Sequence, residues 1–362
     1  MLYYFLYPLR DTFILFNLFK YITFRAIGAS ITAFLICIIF FPAICEWLKK
    51  LSVTNSVERA HTQKIHAFYA NKNTVPTMGG VLIIGAILIS NIIWGELTNR
   101  YLLISLGVVI LFGMVGFADD YIKLKVGNSR GLPGRVKLSG QLLVGIVLGM
   151  YLYLDPNFSK LLYVPFFKHF MLPIGILFVP FIILVLVGTS NALNLTDGMD
   201  GLAVGCLSFS AGAFTILTYL AGRSDFAFYL GIPFVAGSGE LAVLCASLVG
   251  ASVGFLWYNS FPASVMMGDT GSLSLGGALG AVAIMIKHEL VLLIVGGIFV
   301  WEALSVILQV SSFKLFKKRI FLMSPYHHHL QLKGIPESKV TVRLWIVAFI
   351  LALVGLSTLK IR

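Results

Sequence analysis

Five aspartates stand where long apolar runs end: Asp119 and Asp120, Asp197 and Asp200, and Asp269. The chain holds only 15 acidic residues in 362, so their gathering at three run ends is a chemical signal. The middle pair belongs to Asn191-Ala192-Leu193-Asn194-Leu195-Thr196-Asp197-Gly198-Met199-Asp200-Gly201, which carries two carboxamides and two glycines beside its two acids. An N-capped turn accounts for one of those acids, but not for both together with Asn191 and Asn194. Oxygen-only donors at several loop ends suit Mg2+ or Mn2+ rather than zinc, because hard cations take carboxylates and substrate phosphates.

Asp197 and Asp200, spaced i,i+3, would share one face of a helix starting at this point, with Asn194 or Thr196 as its cap. Gly198 and Gly201 let a ligand approach the backbone, and free N–H groups at a helix start suit phosphate. Asp119 and Asp120 are adjacent, so on a helix they point about 100° apart and divide two tasks. One would bind a metal while the other orients a proton or Lys123; the plain alternative is a membrane-boundary pair neutralised by that lysine. Asp269 lies in Gly268-Asp269-Thr270-Gly271-Ser272, a string that alone fits a turn and helix cap equally well. His327-His328-His329 diverge too much to hold one ion together, and imidazoles there suit anion binding or proton transfer.

The elements that must position these residues are membrane helices. Hydrophobic residues make up 58% of the chain and charged ones 12%, with a mean hydropathy of +0.93, far above a soluble domain. A bilayer core needs about 20 apolar residues per helix, a pattern that recurs in about ten spans: roughly 25–47, 78–95, 101–118, 138–154, 171–189, 200–221, 240–257, 270–286, 290–309 and 342–359. The expectation is an all-α polytopic membrane protein, one integral domain over residues 1–362. Within it, 1–24 form an interfacial segment and 310–340 a cytoplasmic loop that carries the histidines. Cys37, Cys45, Cys206 and Cys245 fall in or at the ends of spans without metal-type spacing, so they read as packing residues.

The net charge of +12 on a soluble chain would suggest nucleic acid; its distribution excludes that partner. Most of the 27 basic residues lie in the connections after spans one, three, five, seven and nine. By the positive-inside bias that face is cytoplasmic, and ten spans put both termini outside. The acids, the histidines and Pro76-Thr77-Met78-Gly79-Gly80 all fall on the same face, so one composite site is the simplest account.

In their order and wording, Pro76–Gly80, Asp119-Asp120, Asn191 with Asn194–Gly201, Gly268–Ser272 and Pro325–His329 resemble the polyprenyl-phosphate N-acetylhexosamine-1-phosphate transferases. Within them they resemble the phospho-N-acetylmuramoyl-pentapeptide transferase branch, over nearly the whole chain. The resemblance implies a Mg2+-dependent transfer of phospho-MurNAc-pentapeptide from UDP-MurNAc-pentapeptide to undecaprenyl phosphate, giving lipid I and UMP for peptidoglycan. It also implies a bacterial inner-membrane enzyme, a homodimer, and a site facing the cytoplasm. By motif match, Asp119, Asp120 and Asp269 are catalytic and Asp269 holds the metal. Lys72, Thr77, Lys123, Asn191, Asn194, Asp197, Gly198, Met199, Asp200 and Asn259, with His327, His328 and His329, line the donor pocket.

Two other readings compete. A sister transferase acting on UDP-GlcNAc would share the fold and the acids. A cation-coupled transporter also joins many spans to acids, but its sites lie near the bilayer midplane, whereas these acids line up at one surface.

Overall fold

In lipid every backbone polar group needs an internal partner, which leaves helices for chains of this composition. The computed structural model describes residues 2–50, 75–126, 131–167 and 170–360. Helices dominate them: α1 (Leu2–Leu6), α2 (Ile22–Lys50), α3 (Gly80–Trp94), α4 (Arg100–Val126), α5 (Gly134–Leu154), α6 (Phe178–Thr196) and α7 (Leu202–Ala221). They continue with α8 (Ser224–Leu230), α9 (Leu241–Asn259), α10 (Gly268–Met285), α11 (Glu289–Val295), α12 (Gly297–Phe316), α13 (Tyr326–Leu332) and α14 (Glu337–Ser357). Between α5 and α6, strands β1 (Leu161–Tyr163) and β2 (Met171–Pro173) pair antiparallel, Leu161 opposite Pro173.

Among the described residues eight helices are long and apolar enough to cross a membrane. Two of the ten expected spans differ in kind. Helix α3 has 15 residues and is too short to cross alone. Helix α10 is diluted by glycine and serine, and every residue from Thr270 to Met285 is buried. Enclosed by α4, α6 and α3, it has no need to be apolar towards lipid.

Three other expectations shift. The span expected at 171–189 opens as strand β2 and reaches α-helix at Phe178 through a 3-10 turn at Gly175–Leu177. The one expected at 290–309 is broken at Gly296 into α11 and α12, and α12 then runs on to Phe316. Residues 2–20 form α1 and two 3-10 turns, Tyr7–Asp11 and Ile14–Lys20, with no buried residue.

Small residues let the central helices touch backbone to backbone. A Cβ added at Gly116 of α4 would fall 2.2 Å from the Asp269 carbonyl, and one at Gly80 of α3 would fall 2.2 Å from the Gly271 nitrogen. Deeper in the bundle, Gly276 lies against Thr189 and Ser190 of α6. These approaches bring the end of α4, the end of α6 and the start of α10 to one point.

Candidate active site

Because Gly116 sits on the Asp269 backbone, Asp119 and Asp120, one turn further along α4, face the start of α10. Asp119, Asp120 and Asp269 each offer an oxygen, and these oxygens lie within 4.8 Å of one another. Lys123 Nζ bridges them, 2.7 Å from Asp119 Oδ2, 3.5 Å from Asp120 Oδ1 and 2.8 Å from Asp269 Oδ2. Lys137, at the start of α5, donates to the same Asp269 oxygen at 2.9 Å. Asn194 Nδ2 donates to the other Asp269 oxygen at 2.6 Å and to Ser272 Oγ at 2.7 Å.

The two neighbouring aspartates both reach Lys123, but their other partners differ. Asp120 is buried and committed. It accepts from the Asp269 N–H at 3.2 Å, the Thr270 N–H at 2.8 Å and the Thr270 hydroxyl at 2.7 Å, so it anchors the first turn of α10. Asp119 takes the Leu132 N–H on one oxygen and Lys123 on the other.

The Asn191–Gly201 stretch ends a helix; it does not begin one. Helix α6 runs through Thr196, Asp197 caps it, and the next helix starts at Leu202 after Gly201 in the left-handed region at φ +71°. Asp197 and Asp200 therefore lie in a turn rather than on one helix face, and neither Asn194 nor Thr196 is an N-cap. Thr196 instead donates back to the Ala192 carbonyl. Burial pushes the Asp197 carboxyl up to about 8, with the charges of Asp269 and Asp120 adding to the rise and the Gly268 N–H opposing it.

Several residues expected in the pocket have partners in its frame. Asp200 Oδ2 accepts the Ala263 N–H at 3.0 Å, and its own N–H donates to Glu337 at 2.9 Å. Asn259 is buried between the Gly201 N–H and the Val265 carbonyl. Met199 is wholly buried. Asn191 lies one turn from Asn194 and donates to Gln141 Oε1 at 2.7 Å, away from the carboxylates. Thr77 does reach the cluster: a Cβ added at Gly268 would fall 3.0 Å from its hydroxyl and 2.8 Å from Asp120 Oδ2. Lys72 lies outside the described residues.

The histidines separate as expected of consecutive residues. His327 is buried against the turn, where a Cβ added to Gly198 would fall 2.3 Å from Nε2. His328 pairs with Gln331 at 3.0 Å. His329 accepts the Leu322 N–H and packs among Phe321 and Tyr326. Lys137, Thr270, Ser272, Gln141, Glu302 and Glu337 also bond residues of the site, roles that the sequence motifs do not assign. A polar residue among the charged starts of α5 and α14 was a usable signal for Lys137 and Glu337; a lone Glu302 within an apolar run was another.

Residues 102–287 match the model of the family described as glycosyl transferase family 4. The chain is 51% identical over 362 residues to the phospho-N-acetylmuramoyl-pentapeptide-transferase of Pelobacter propionicus, covering 100% of both chains. The enzymes of the same name from Geobacter sp. (strain M21), at 51%, and Thermodesulfovibrio yellowstonii, at 50%, are likewise covered in full. With identity at this level over the whole chain, and with the carboxylate cluster inside the matched segment, the protein belongs to the phospho-N-acetylmuramoyl-pentapeptide-transferase family.

Proposed function

We propose that this membrane transferase moves phospho-MurNAc-pentapeptide from UDP-MurNAc-pentapeptide to undecaprenyl phosphate, releasing UMP and forming lipid I. The observation that carries the reading is the cluster of three carboxylates and two lysines at the meeting point of α4, α5, α6 and α10. The reaction joins two anions, so it needs positive charge held in place and an oriented acceptor oxygen. Lys123 and Lys137 converge on Asp269 and supply the first. Asp119 keeps one oxygen fixed by Leu132 and is the better placed of the pair to orient the lipid phosphate. Asp120, saturated by Thr270 and the Asp269 N–H, holds the frame.

The donor set fits Mg2+. All donors are hard oxygens, and their spread is close to the about 4.2 Å between opposite ligands of a Mg2+ ion, which usually keeps several waters and takes one or two carboxylates. Asp269 would hold it, with Asn194 fixing the carboxylate's other oxygen. When bound, the ion would neutralise diphosphate charge and stabilise the departing UMP. A cleft of about 310 Å³ between α6, α11 and α12, lined by Leu184, Gly188, Leu292, Phe299 and Ala303, reaches Leu193, next to Asn194. Its apolar walls suit a polyprenyl chain. The basic connections at this end of the bundle support a cytoplasmic site in a bacterial inner membrane, and family likeness supports a homodimer.

Donor competition tests the substrate. UDP-MurNAc-pentapeptide should be consumed and UDP-GlcNAc should neither replace it nor compete at equal concentration. Turnover of UDP-GlcNAc at a comparable rate would assign the chain to the sister chemistry.

A further inference from the structure

Glu302 is an acid in the interior of α12, wholly buried, in a run that otherwise reads as lipid-compatible. Its Oε2 takes His327 twice, through ring Nδ1 at 3.1 Å and through the backbone N–H at 3.4 Å. A carboxylate facing Nδ1 makes that nitrogen the donor, which sets both the tautomer and the rotation of the ring. The remaining atoms of the pair, His327 Nε2 and Glu302 Oε1, are buried with no hydrogen-bond partner. Buried polar atoms are nearly always satisfied, so an exception calls for a use.

The position of Nε2 supplies one. It lies against Gly198, in the turn that joins Asn194 to Asp200, and any side chain at 198 would displace the ring. Asp197, the neighbour of Gly198, interacts with Asp269, Asp120 and the Gly268 N–H. The ring is therefore the first imidazole reached from the carboxylate cluster along the turn. Among the described residues, His328, with its ring centroid 4.2 Å away, and Glu302 are titratable groups at the ring, Cys206 interacts with Glu302, and Glu337 reaches the same turn through Asp200.

We propose that Glu302 is a positioning residue for the transfer. It keeps the proton on His327 Nδ1 and turns Nε2 to the Gly198 turn, where a small outward shift on binding presents Nε2 to the polar groups of the nucleotide-sugar donor. This rests on the transferase reading above and adds a residue that no motif contains.

A double-mutant cycle on the full-length protein tests it, with turnover, donor KM and thermal stability measured for each variant. Glu302→Leu should lower turnover about 100-fold, the scale of a misplaced catalytic contact, at little cost in Tm. Glu302→Gln keeps an acceptor for Nδ1–H and should retain at least ten times the activity of the leucine variant. Glu302→Leu with His327→Ala should be no worse than His327→Ala alone. Glu302→Gln with His327→Ala should likewise be no worse than His327→Ala alone, and that pair decides the matter if the leucine variant does not fold. Losses that multiply in either double variant, or Glu302→Gln as poor as leucine, would overturn the proposal. Absence of transfer by the wild-type protein would instead overturn the functional reading itself.

Discussion

The two ends of the helix bundle handle buried charge in opposite ways. Among the described residues away from the carboxylate cluster, the buried cations Arg25 and Lys287 each have their own carboxylate. Arg25 at the start of α2 meets Glu240 at 2.7 Å before α9, and Lys287 meets Glu289 at 2.9 Å after α10. Glu240 also caps the Glu96 N–H, so the pair ties the ends of three helices together. At the other end three carboxylates share two lysines, and no carboxylate has a cation to itself. One-to-one pairs with fixed geometry are locks. A shared cluster with more acids than bases keeps a surplus of negative charge, which under the proposed function a further cation would balance.

This contrast gives variants that should break in different currencies. The largest effect is on chemistry: Asp269→Asn should cost about 10³-fold in turnover, the scale of losing one electrostatic contact to the transition state, with little change in Tm. Next comes Arg25→Leu, which strands Glu240 and should cost about 3–5 kcal/mol of stability, while the folded fraction keeps normal turnover. Replacing Glu240 by leucine as well should recover most of that loss. Equal damage to stability from Asp269→Asn and Arg25→Leu would erase the distinction between the two ends.

Smaller effects sharpen it. Lys137→Gln leaves Lys123 on Asp269 and should lower turnover about 10-fold, the equivalent of one hydrogen bond to a charged group. Asp197 gives a pH signature. Its carboxyl holds a proton up to about 8 when folded, against 3.8 as the ordinary value, so the folded state binds the extra proton between those values. Its contribution is fully present below the ordinary value and is lost as pH rises through about 8. Without divalent ions, Asp197→Asn should flatten the fall of Tm between pH 5 and pH 8. An unchanged slope would show that Asp197 is ionised in the fold.

Much of this site could be read in the chain because its acids stand at the ends of apolar runs, where lipid would not tolerate them by accident. Asp119, Asp120, Asp269, Asn194 and Lys123 do converge. What could not be read depended on partners distant in the chain. The motifs of Asp200 and Asn259 do not show their partners: Ala263 and Glu337 for the first, Gly201 and Val265 for the second. The Asn191–Gly201 island has the composition of a helix start, but the apolar run before it stays helical to Thr196 and displaces that start to Leu202. Apolarity marks the lipid-facing spans, and α10 departs from that rule because neighbouring helices, not lipid, enclose it. Glu302 escaped attention because a single acid within a span has no local pattern; only the fold brings His327 to it.

The most direct measurement of the central claim is product stoichiometry with the purified full-length protein, UDP-MurNAc-pentapeptide, undecaprenyl phosphate and Mg2+. The account predicts one UMP released per lipid-linked product, none without the lipid acceptor and none after chelation of the metal. No UMP release, or full activity in Asp269→Asn, would contradict it. Direct attack of the lipid phosphate on the donor allows no UMP exchange in the absence of acceptor; such exchange would mean that an aspartate first takes up the phospho-MurNAc-pentapeptide group.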